Sequence, residues 1–164
     1  MLVNIVGFNF VWFGLIYWGN IFIPIALVML AIHLFCISDV NNELFLIISI
    51  MSVGIIVDSL LQFNRIFIFP HSTHIPFWLM TLWACFAATI CHSLAFLARF
   101  KFLQITAGSI MAPLSYFAGE RLNAVVFGYP FISTYILLGL IWTCLFLFFF
   151  YLKSILIIEE TKYA

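Results

Sequence analysis

In a chain whose residues are 66% hydrophobic and only 7% charged, few side chains can do chemistry, and they fall into two groups. The first is Asp58, Ser115, Tyr116, Glu120, Arg121 and Asn123. Two carboxylates, two hydroxyls, a guanidinium and an amide are the groups that hold a small polar ligand or a lipid headgroup. The planar fork of arginine suits a phosphate. The second group is His33, Thr89, His92 and Ser93. Two imidazoles at one depth of a helical bundle can ligate a haem or a metal axially. More often such histidines are satisfied by a neighbouring hydroxyl or carbonyl, so the expectation is no cofactor and no metal. His71 and His74 form an HxxH without further ligands and read as interfacial solvation. HExxH, GxSxG and phosphate-cradling glycine loops are all missing, and the reading leans away from an enzyme.

The elements that must position these groups are membrane helices. A soluble domain carries about a quarter charged residues; the 164 residues here, with a mean hydropathy of +1.26, have too little polar surface to coat a globule in water. Formal net charge is zero and the six Lys and Arg are scattered, which excludes a nucleic-acid footprint. The first basic residue is Arg65, so no cleavable signal with a basic n-region is expected. The four cysteines sit in apolar runs without a CxxC pair and read as small buried hydrophobes. A crossing helix needs about 20 apolar residues, and the continuous apolar runs exclude the alternating pattern of a barrel. The expected fold is all-α: one domain over residues 1–164, a polytopic integral bundle of six transmembrane helices at 1–18, 21–37, 44–62, 76–98, 102–119 and 131–152. The polar stretch from Ser38 to Glu43 is expected to break the chain between the second and third spans.

Basic residues in short loops set direction. With the N-terminus inside, Arg99, Lys101, Lys153 and Lys162 face the cytoplasm and Arg65 and Arg121 the outside, a bias toward N-in and C-in. Trp18, Trp78, Tyr129 and Tyr151 fall near span ends as interfacial anchors, whereas Trp83 and Trp142 lie deeper and are expected to pack between helices. In the fifth span Gly108, Ala112, Ser115 and Gly119 share a face, a seam for close helix packing, and Pro113 can kink it. At about 1.5 Å per residue, Asp58 lies about 21 Å from the inner end of the third span, in the outer half. A charged Asp at the bilayer centre costs about 2.5–3.5 kcal/mol on insertion scales. It therefore wants a partner, and Arg121 is the expected one, with Tyr116 and Ser115 as donors a turn earlier. His92 and His33 lie toward the inner side.

Several stretches carry a resemblance: Val57-Asp58-Ser59-Leu60-Leu61, Leu82-Trp83-Ala84 with Thr89 and His92-Ser93-Leu94, and the segment from Pro113-Leu114-Ser115-Tyr116 through Ala118-Gly119, Arg121-Leu122 and Ala124-Val125. In order and spacing the chain resembles, over nearly its whole length, a family of small proteobacterial inner-membrane proteins, domain of unknown function 2878. The family pattern has glycine where this chain has Ala112 and Asn123. The resemblance implies a multi-pass protein of the bacterial inner membrane without an assigned activity, and hints at lipid chemistry. The expected function is binding of a lipid headgroup or small ligand by the polar cluster at the outer end of the third and fifth helices. The alternatives are a lipid-modifying enzyme or accessory subunit, a small transporter or substrate-binding module, and a structural partner of another membrane protein. The expected partners are membrane lipid and, in the last alternative, that second membrane protein.

Overall fold

The computed structural model describes residues 2–36, 40–70 and 72–157. The described residues are mostly helical, joined by turns and one small strand pair. Helix α1 (Leu2–Trp18) leads through a 3-10 turn (Gly19–Phe22) into α2 (Ile23–Phe35). Gly19 holds φ +58, a left-handed conformation that glycine adopts without steric cost, and there the chain reverses. The Phe10 and Phe22 rings meet at 5.5 Å, and Phe22 fills the space a Cβ on Gly14 would need. Helix α3 (Val40–Phe63) follows, then strand β1 (Phe67–Ile68) and α4 (Phe77–Ala87). A run of turns and a 3-10 helix (Ala95–Arg99) lead to α5 (Lys101–Thr106), which passes through a π turn (Ala107–Met111) into α6 (Ala112–Arg121). Strand β2 (Val126–Phe127) and the long α7 (Phe131–Leu156) complete the chain.

Among the described residues, three apolar helical stretches are long enough to cross a membrane: Leu2–Phe35, which doubles back at Gly19, Val40–Phe63 and Phe131–Leu156. Their outward faces carry bare hydrocarbon, including Phe10, Phe13, Val28, Ile32, Ile56, Ile136 and Leu140. A surface of that kind is not viable in water but matches lipid. The chain is a helical membrane protein.

Several boundaries differ from the sequence expectation, each for a physical reason. The polar run before the third span is not a plain break: Ser38 and Asp39 lie outside the described residues, but Val40 to Glu43 form the opening of α3, and Glu43 is buried. The expected span 76–98 is α-helical only to Ala87. There the Phe86 carbonyl accepts from the Thr89 backbone N–H and its hydroxyl, while Ile90 N–H turns to Ala87. The hydroxyl thus competes with the helical ladder and the helix stops. The fifth run is continuous but widened. Pro113 cannot donate to the Ser109 carbonyl, and Ala112 N–H reaches back to Ala107 across the π turn. Of the cysteines, Cys85 is buried, whereas Cys36 and Cys144 are exposed on the bundle surface.

Packing centres on two tryptophans. Trp83 of α4 and Trp142 of α7 stack at 5.1 Å and 7°, between helices as their depth suggested. Trp83 also fills the room left at Gly54 of α3. The small-residue face divides in two. Gly108 lies against the α7 backbone at Trp142, where an added Cβ would come within 2.6 Å of the carbonyl oxygen. Its continuation, Ala112, Ser115 and Gly119, lines a cavity instead.

One end of the bundle is tied by backbone. Helices α3 and α6 finish in the same way: Arg65 (φ 56) and Asn123 (φ 61) adopt the left-handed conformation. The N–H groups of Arg65 and Ile66 reach Gln62 and Leu61, and those of Asn123 and Ala124 reach Glu120 and Gly119. This is a Schellman ending in both helices. Each leads into a strand, and the strands pair antiparallel, Phe67 with Phe127 and Ile68 with Val126. At the same end Asn20 Oδ1 accepts from the Trp78 N–H of α4 at 3.1 Å, so the α1–α2 turn supplies an acceptor for an otherwise open helix terminus.

Candidate functional site

Asp58, on α3, is completely buried. Its carboxylate accepts from Trp83 Nε1 at 2.6 Å and from the Tyr116 hydroxyl at 3.1 Å. Trp83 is held by its stack on Trp142, and Tyr116 by a stack on Phe67 at 5.0 Å and 24°. Three helices and the strand pair thus converge on one carboxylate. The expected partner, Arg121, is elsewhere: it is exposed at the end of α6, and among the described residues it makes no ion pair. The reason is geometric. The indole and phenol supply the donors at the buried carboxylate, while Arg121, the last residue of α6, faces out. Glu120 is half-buried beside Arg121, Asn123 is exposed as the helix stop, and Ser115 donates to the Ala112 carbonyl at 2.7 Å. Of the six residues expected to cluster, Asp58 and Tyr116 touch; Ser115, Glu120, Arg121 and Asn123 do not join them. Trp83 was missed, although its deep position and single N–H donor make it a natural partner for a buried acid.

Trp83 and Tyr116 also line a cavity of about 490 Å³. Its walls come from α1, α4, α6 and α7, and run from Ile16, Gly119 and Val125 at one end to Ile5, Thr89 and Ser93 at the other. The lining is almost wholly hydrocarbon and aromatic. Its few polar contributors include Asn9, Ser115, Tyr116 and the buried pair Thr89 and Ser93. A space of this size falls in the range of small-molecule sites, and its chemistry suits an apolar chain.

The histidines are brought together, but not by the hydroxyls expected to satisfy them. Thr89 Oγ1 donates to the Phe86 carbonyl. It is Glu43, in the first turn of α3, that meets both imidazoles: His33 Nε2 lies 3.0 Å from Oε1, and His92 Nε2 lies 2.9 Å from Oε1 and 3.1 Å from Oε2. The two rings meet edge to face at 4.7 Å. His33 comes from the last turn of α2 and His92 from the unwound segment after α4. Axial haem ligands would have to face each other across the macrocycle; here Glu43 stands between them. The signal in the sequence was Glu43 itself, an acid in the first turn of an apolar helix, but it read as part of a polar connection.

These features define a helical membrane protein with a closed polar anchor, an apolar cavity and a second polar cluster at the opposite end. The chain matches, over residues 1–148, the family described as protein of unknown function DUF2878, and it belongs to that family. No curated protein and no solved structure matches it.

Proposed function

We propose that the protein is a six-pass protein of the bacterial inner membrane, N-in and C-in, that takes the apolar chain of a membrane lipid into the cavity between α1, α4, α6 and α7. The cavity carries this reading: it runs along α1 from Ile5 to Ile16, is walled by hydrocarbon, and ends beside Gly119, next to the exposed Arg121 and half-buried Glu120. A chain lying there places its headgroup at that rim, where a guanidinium can take a phosphate in a bidentate grip. Asp58 does not contact the ligand in this reading. It fixes the Trp83 and Tyr116 rings that form the wall. The six-pass topology is supported by the grouping of turns: the α1–α2 turn meets the start of α4, and the ends of α3 and α6 are paired through β1 and β2. The end of α2, the start of α3 and the segment after α4 gather at the other end.

The test is extraction and mass spectrometry of lipid retained by protein purified in mild detergent, for wild type and for Ser115→Phe, which fills the cavity without disturbing the Asp58 anchor. A defined lipid species near one equivalent in wild type, reduced at least about tenfold in the variant at unchanged melting temperature, is the expected result. Equal, non-stoichiometric lipid in both would overturn the reading.

A further inference from the structure

We propose that His33, Glu43 and His92 form a binding site for a divalent first-row transition ion, with zinc the natural occupant. Three separate elements deliver one ligand atom each, and these atoms lie within 4.8 Å of one another. Both imidazoles present Nε2 to the same carboxylate, at N···O distances of 2.9 to 3.1 Å. Ligands bonded to zinc at about 2.0–2.2 Å stand about 2.9–3.4 Å apart when 90–109° separates them, so each imidazole already stands at that spacing from Glu43, and the two Nε2 atoms lie within 4.8 Å of each other. Glu43 is 4% exposed, while the His33 and His92 side chains keep 20% and 33%. The anionic ligand is thus sheltered and an ion can enter past the imidazoles.

Two histidines and a carboxylate are a donor set that selects zinc or a similar divalent ion and leaves coordination positions open. The break in α4 supports the same assignment. Unwound backbone inside a membrane bundle is tolerated where it is buried in protein or lines a water-filled cavity, and here it delivers His92 to a carboxylate on another helix. The proposal is independent of lipid binding, since none of the three residues lines the cavity.

The experiment uses the full chain in detergent, stripped with chelator and reloaded with Zn²⁺ or with Co²⁺. Wild type is expected to retain one zinc per chain after gel filtration. Its cobalt form is expected to show visible ligand-field bands without a sulfur-to-metal charge-transfer band. Removing even an outer partner of a metal ligand lowers affinity 10–100-fold, so Glu43→Gln and His92→Ala should each lower zinc affinity at least about tenfold. His74→Ala should retain it fully. Three results would overturn the site: wild type holding less than about a tenth of an equivalent; a thiolate charge-transfer band placing the ion on cysteine; or loss of zinc in His74→Ala. The first two are read on wild type, so a variant that misfolds leaves the proposal open to refutation.

Discussion

A buried acid with two neutral donors behaves differently from one end of a salt bridge, and Asp58 is the first kind. Replacing Asp58 with alanine leaves the Trp83 N–H and the Tyr116 hydroxyl without their acceptor, each worth about 1–3 kcal/mol when stranded. A loss of about 2–5 kcal/mol is expected by thermal or denaturant unfolding in detergent, and Tyr116→Phe should lose about 1–2 kcal/mol. Arg121→Gln, on an exposed side chain, should stay within about 0.5 kcal/mol of wild type. A large destabilisation by Arg121→Gln would restore the ion pair that depth alone suggested. The place of Asp58 along its helix was legible because helix rise converts residue number into distance. Its partner was not, because depth says nothing about azimuth, and charge complementarity favoured an arginine over an indole. Glu43 was hidden for a related reason: a polar run before a hydrophobic one reads as a loop even when its last turn is already helix.

Helices were legible as apolar runs, and their interruptions only where a residue type announces them. Pro113 marked the widened fifth run. The stop after Ala87 has no proline or glycine and depends on the Thr89 hydroxyl capturing the Phe86 carbonyl. The matched endings of α3 and α6 likewise depend on Arg65 and Asn123 accepting positive φ, a conformation uncommon for residues other than glycine. The demand at position 123 is therefore for backbone freedom rather than for polarity. Asn123→Gly should therefore be neutral or stabilising by up to about 1 kcal/mol. Asn123→Val should destabilise by about 1–3 kcal/mol, read as a shift in melting temperature. Should valine be tolerated as well as glycine, the helix stop is not set by that dihedral.

For the molecule as a whole, the composition alone dictated lipid as solvent, and the structure agrees in the apolar skin it turns outward. The topology is tested by reporter fusions. A phosphatase joined after Gly128 should be active on the outer side of the inner membrane, and one joined after Leu156 should be inactive; the opposite pattern would invert the orientation, and activity at both would break the count of spans. The cavity was the least legible feature, since it arises where four helices fail to close and no single segment encodes that gap. The Trp83–Trp142 pair, stacked with nearly parallel planes at its wall, has an optical consequence. Two indoles stacked this closely perturb each other's excited states, so a guest displacing either ring should change the near-ultraviolet circular dichroism of the pair. The protein thus contains its own chromophore for titrating what enters, without label or engineered probe.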